Sequence, residues 1–120
     1  MRTLLVTAMS FMLSVLGQAT NVENGKASWY STSCNGGTRT ASGQKLNNSA
    51  MTAAHKTLPF GTKVKVTNMK NGKSAIVSII DRGPYTRGRV IDVTSGVADV
   101  LGFKKHGIAI VKLEVVGKVK

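Results

Sequence analysis

The stretch Lys63-Val64-Lys65-Val66-Thr67-Asn68-Met69-Lys70-Asn71-Gly72-Lys73-Ser74-Ala75-Ile76-Val77-Ser78-Ile79-Ile80 decides how the chain is read. From Lys63 to Met69 polar and apolar residues alternate, the two-residue period of a strand with one buried face. Lys70–Lys73 interrupts the pattern. Asn71-Gly72 within it signals a hairpin, because both residues tolerate positive φ. Ser74–Ile80 returns as a more continuously apolar run, which predicts a strand central in its sheet.

Short strands recur on either side. Lys26–Tyr30 and Arg89–Val93 have strand periodicity, and Gly107–Val116 reads as a long last strand with Ile108, Ile110 and Leu113 facing inward. Thr20–Gly25 is polar and reads as a loose start. Asn35–Ser49 is rich in Gly, Thr, Ser and Asn and reads as a long loop, a place where function often resides. Ser95–Gly102 predicts a helix of about two turns, capped by Thr94 or Ser95 and stopped by Gly102. Strands dominate and one or two short helices interrupt them. The expectation is a mainly β fold, a small barrel that leaves no exposed sheet edge.

The first 19 residues read separately. Arg2 precedes the mostly apolar Leu4–Leu16, and Gly17-Gln18-Ala19 supplies small residues for cleavage. This is the layout of a secretory signal peptide. An apolar run of about 13 residues falls short of the roughly 20 a spanning helix needs, so no stable membrane anchor is expected. Residues 20–120 then form one domain, exported and periplasmic or secreted. The full chain of 120 residues carries 17 Lys and Arg against 5 Asp and Glu, a formal net charge of +12. An exported protein this basic suits an anionic polymer such as a cell wall, a polysaccharide or lipid head groups. Export, and only six Trp, Tyr and Phe with no interleaved basic-aromatic stripe, speak against nucleic acid. A single cysteine, Cys34, leaves no internal disulfide framework and reads as a small, partly buried residue. Two distant histidines without clustered acids predict no metal site, and no other cofactor is indicated. No Gly-x-Ser-x-Gly occurs, which gives nucleophilic hydrolase chemistry little support.

Two of the five acids lie in Ile79-Ile80-Asp81-Arg82-Gly83-Pro84-Tyr85-Thr86-Arg87-Gly88-Arg89-Val90-Ile91-Asp92-Val93. Asp81 ends an apolar strand just before Gly83-Pro84, which places it at a barrel rim. It either caps the turn and pairs with an arginine, or acts as a general acid whose pKa is raised by burial. Arg82, Arg87 and Arg89 oppose the second role. Asp92 follows Val90-Ile91 and precedes the helix, where it can cap free N–H groups or partner Asp81. His55 is either a structural hydrogen-bonder or a working group, and His106 reads as surface. Of Trp29 and Tyr30, one is expected to pack and the other to face a cleft, where it can stack on a sugar ring.

Gly25–Tyr30, Thr40-Ala41-Ser42-Gly43, Thr52–Asn68 and Asp81–Val93 together resemble the rare lipoprotein A family of bacterial cell-wall proteins, over about Gly25–Val116. The resemblance implies a six-stranded double-psi β-barrel. It also implies endolytic lytic transglycosylase activity on peptidoglycan glycan strands, cutting between MurNAc and GlcNAc and leaving 1,6-anhydro-muramic ends. His55 matches the family's motif histidine, Asp81 the aspartate of its Asp-Arg-Gly-Pro motif and favoured catalytic acid/base, and Asp92 its second aspartate. Trp29, Tyr30, Gln44, Arg82 and Arg89 are then the substrate-binding candidates, and the protein is expected to work as a monomer. Gln44 stands where the family usually has Glu; it can hydrogen-bond a sugar but cannot transfer a proton. Ser31 stands where Gly usually follows Trp-Tyr. Neither a lipid-attachment cysteine nor a C-terminal peptidoglycan-binding repeat is read in the sequence, so a lipoprotein is not expected. Gln44 and the small size keep open an alternative, a non-catalytic expansin-like module that binds or loosens the wall.

Overall fold

Alternation carries over from sequence to structure in the central hairpin. In a computed structural model that describes residues 22–30 and 40–118, Val64, Val66, Ala75, Val77 and Ile79 point into one core. The expected signal segment, Ser31, Cys34 and the first part of the expected Asn35–Ser49 loop lie outside the described residues. The strands are β1 (Val22–Tyr30), β2 (Thr52–Ala54), β3 (Thr62–Asn68), β4 (Ser74–Asp81), β5 (Arg89–Thr94) and β6 (Ile108–Lys118). They close a barrel in the order β1-β5-β2-β4-β3-β6. β1 with β5 and β2 with β4 run parallel, and the remaining neighbours are antiparallel. The mainly β, six-stranded barrel expected from the sequence is therefore present.

Closure revises the reading of β4. No strand of a closed barrel is more central than another, and β4 buries one face: Ile76 is 54% exposed between buried Ala75 and Val77. The hairpin is also wider than a two-residue turn. β3 ends at Asn68 and β4 starts at Ser74, and only Gly72, at φ 78°, has positive φ. The five-residue turn has a use: the side-chain amides of Asn68 and Asn71 both donate to Leu101 O, at 2.9 and 3.0 Å. Leu101 ends α1 (Ser95–Leu101), the one helix among the described residues. At a helix end such carbonyls lack intrahelical partners. Thr94 is the N-cap, accepting from Val97 N and donating to Ala50 O at 2.7 Å, and Gly102 closes the helix at φ 80°. The helix and its stop at Gly102 are those expected, and of the two N-cap candidates Thr94 takes the role while Ser95 begins the helix. Val97, Ala98 and Leu101 press into the core, which Phe103 completes.

Two expectations fail at the chain's ends. Val22–Gly25 is not loose but forms the first half of β1, paired with Val111–Glu114 of β6. Val22, Glu23 and Asn24 are all solvent-exposed, so polarity there reflected solvent and not the absence of pairing. In β6 the inward set is Val111 and Leu113, fully buried or nearly so, while Ile110 is 61% exposed. Ile110 and Leu113 are three residues apart and cannot share a face of a strand with period two. Val111→Ala is accordingly expected to cost about 1–3 kcal/mol. Ile110→Thr, on the outer face, should stay within about 0.5 kcal/mol. Urea unfolding of the two variants checks the phase of β6, and a reversed ranking would contradict it.

Candidate active site

The two parallel pairings set one row of residues across four strands. Ser28 of β1 lies opposite Asp92 of β5, Asp92 opposite Ala54 of β2, and Ala54 opposite Asp81 of β4. Neighbouring strands are about 4.8 Å apart, so the two aspartate backbones are roughly 10 Å apart with only a methyl group between them. The register depends on a bulge. Ala53 pairs with Ile79, but Ala54 pairs with Asp81, so Ile80 is the extra residue. Bulges re-aim the side chains beyond them. Ile79 and Ile80 are both buried, the local sign of that irregularity in a strand that otherwise alternates.

Asp81 is half-buried at the rim. Its Oδ1 accepts from Arg82 N at 2.9 Å and from Ala41 N at 2.8 Å. The second contact belongs to the turn Thr40–Gln44, closed by Thr40 N on Gln44 O at 2.9 Å and docked by Ser42 N on Ile80 O at 3.1 Å. That turn carries the exposed Gln44 to the same rim. The ion pairs among the described residues do not include Asp81. Of the two structural roles open to it, the turn contact is present and the arginine pair is absent among those residues.

Asp92 behaves differently. Its Oδ1 accepts from Ser28 Oγ at 3.0 Å. Burial pushes its carboxyl above the ordinary aspartate range; the Ser28 hydrogen bond and Arg89 pull back, and Asp81 pushes further up. The helix-cap role does not fall to it, because Thr94 holds that position. Arg89, at the start of β5, is the arginine that acts on Asp92 electrostatically.

The remaining candidates divide. Tyr30 is 7% exposed, too buried to offer a face for stacking. Burial first, then Asp81 and Asp92, raise its phenol pKa. Trp29, on the opposite face of β1, donates from Nε1 to Lys104 O at 3.0 Å, under the Lys104 ammonium. It therefore packs away from the aspartates. The His55 ring is buried and turned from Asp81: Nδ1 accepts from Thr57 N and Leu58 N, each at 3.1 Å, and Nε2 lies 2.9 Å from Glu23 Oε1. An Nδ1 that accepts twice leaves the proton on Nε2, donated to Glu23. His55 touches Asp81 through the backbone, His55 N donating to Asp81 O at 3.1 Å. Arg82 Nη1 donates to His55 O at 3.2 Å and Leu58 O at 2.8 Å, with the guanidinium 4.2 Å over Phe60. It braces the segment between β2 and β3, a role that composition alone did not reveal. Ser28 and Glu23 are the two site neighbours that sequence reasoning missed. Each is an ordinary polar strand residue until the register is known.

Residues 22–113 match the model of a family described as lytic transglycolase. The chain belongs to that family, and the resemblance to the rare lipoprotein A proteins is borne out. It is 52% identical over 95 residues to a Synechocystis protein named "Probable endolytic peptidoglycan transglycosylase RlpA", covering 79% of this chain and 29% of that one. It is 49% identical over 94 residues to the Rickettsia felis protein named endolytic peptidoglycan transglycosylase RlpA, covering 77% and 41%. The chain thus spans less than half the length of these relatives. Among solved structures, a Clavibacter michiganensis expansin superposes with TM-score 0.64 at 21% identity over 82% of this chain and 52% of that one. The Streptomyces papain inhibitor superposes at 0.61 with 22% identity over 79% and 94%. These two share the fold.

The raised pKa of Asp92 predicts a pH-dependent cost. The neutral carboxyl is favoured by the fold, so its contribution is full below the ordinary aspartate pKa and lost as pH rises through the folded value. At pH 7 the buried charge destabilises. Asp92→Asn should raise stability there by about 1 kcal/mol, or roughly 4–8 °C in Tm for a domain of this size. The gain should shrink toward zero near pH 3, as scanning calorimetry across that range can check.

Proposed function

We propose that this chain is an exported endolytic lytic transglycosylase that cuts peptidoglycan glycan strands between MurNAc and GlcNAc and leaves 1,6-anhydro-muramic ends. The observation that carries the reading is the pairing of a partly buried, proton-favouring Asp92 with Asp81 at the rim, across Ala54. The relatives' names supply the substrate class.

The chemistry needs a proton donor and a proton acceptor but no activated water. A carboxylic acid protonates the glycosidic oxygen as the bond to C1 breaks. The muramic 6-hydroxyl then attacks C1 and gives its proton to a carboxylate, closing the anhydro ring. Family resemblance gives both tasks to Asp81. The raised pKa of Asp92 supports a division: Asp92 donates, since a general acid needs a pKa near the working pH, and Asp81 accepts at the rim. Solvent then returns the proton balance. Gln44 can hold a sugar hydroxyl beside Asp81, and its lack of a proton leaves the chemistry to the two aspartates. His55 and Arg82 keep the end of β4 in place from behind. Exposed basic residues such as Lys45, Lys56 and Arg87 suit the lactyl and stem-peptide carboxylates of the wall.

Purified peptidoglycan, intact and stripped of stem peptides, provides the test. Mass spectrometry should find anhydro-muramic ends after digestion with the wild-type protein. Asp92→Asn and Asp81→Asn should each slow their release by roughly 100-fold or more. A protein that pellets with the wall yet yields no anhydro ends is the non-catalytic module instead.

A further inference from the structure

Among the described residues, two buried side-chain oxygens have no hydrogen-bond partner, Tyr30 Oη and Thr52 Oγ1. Such groups are rare in folded proteins and call for a reason. For Tyr30 the surroundings supply one. It ends β1 two residues after Ser28, so both side chains leave the same face of the strand. Ser28 on that face already holds Asp92. The phenol lies within the electrostatic reach of both Asp81 and Asp92, and burial together with those charges keeps it neutral, with its proton in place. A more than nine-tenths buried O–H, unpaired and on the strand face that carries Ser28 and its partner Asp92, is a donor waiting for an acceptor.

The missing acceptor has a definite chemistry. A sugar hydroxyl can satisfy an ionised carboxylate by donating to it. A glycosidic, ring or acetamido carbonyl oxygen has no proton to give: the accepting Asp81 offers it nothing, and Asp92 has one proton, which the cleavage step consumes. It needs a donor at that point. We infer that the Tyr30 hydroxyl donates a hydrogen bond to an acceptor-only oxygen of the glycan lying between Asp81 and Asp92. This inference rests on the transglycosylase reading of the site. It replaces the stacking role expected for Tyr30 with a polar one, and it makes Tyr30 a substrate-contacting residue.

Tyr30→Phe removes one oxygen and keeps the ring. The variant should unfold at the wild-type temperature or above, because an unpaired buried hydroxyl is lost. It should release anhydro-muramic ends roughly 10- to 100-fold more slowly, with kcat falling more than KM rises. A second measurement needs no mutation. The chain has only two tyrosines, and Tyr85 is 76% exposed. In protein labelled with 13C at tyrosine Cζ, peptide-free glycan fragments should shift the Tyr30 signal and leave Tyr85 in place. Wild-type turnover in Tyr30→Phe, or a Tyr30 signal that stays fixed while fragments bind, overturns the inference and spares the reading of the site. A wild-type protein that releases no anhydro ends overturns both.

Discussion

The arrangement rests on one unfavourable placement: a carboxyl group partly buried in a barrel wall, hydrogen-bonded to the Ser28 hydroxyl, with a second carboxyl one strand beyond Ala54. Burying a carboxylate without a full set of donors costs free energy. Here the fold favours the protonated state of Asp92, and the ion pairs among the described residues do not include it. Arg89 acts on it but does not reverse the shift. The same placement that weakens the fold at neutral pH supplies a proton where a glycan can be cut. A fully satisfied Asp92 would make a firmer barrel and a poorer acid.

The barrel delivers that placement through features that have little to do with the aspartates themselves. Two parallel pairings bring β5, β2 and β4 side by side. The bulge at Ile80 sets Asp81 opposite Ala54, and an alanine at that point leaves room that a larger side chain would fill. Behind the row, Arg82 ties the His55 and Leu58 carbonyls, and His55 is clamped by Glu23, Thr57 and Leu58. In front, the Thr40–Gln44 turn is fastened to Ile80 and Asp81. The residues around the chemistry are thus fixed from both sides by backbone contacts, which side-chain substitutions far from the site leave intact.

Much of this was legible in the sequence, and the parts that were not share a cause. Period-two alternation in Lys63–Met69 and the Thr94 and Gly102 caps are local signals that held; the Asn-Gly signal marked the hairpin, though its turn is five residues wide and only Gly72 takes positive φ. β2 was missed by periodicity because three residues, Thr52–Ala54, are too few to show a period. Yet that strand separates the two aspartates. Parallel pairing and the bulge are long-range facts with no local signature beyond the adjacent apolar pair Ile79-Ile80. The facing of Tyr30 and Trp29 followed from which of the two continues the parity of Ser28, which the chain alone does not state. The direction of the His55 ring depends on Glu23, in a segment whose polarity read as loose chain.

The account is tested most directly by following the side-chain carboxyl 13C signals of Asp81 and Asp92 through a pH titration, in the wild-type protein and in Asp81→Asn. It predicts that Asp92 titrates above the ordinary aspartate value, and that its midpoint falls when the neighbouring charge at Asp81 is removed. An Asp92 that titrates at or below the ordinary value, unmoved by Asp81→Asn, would contradict it.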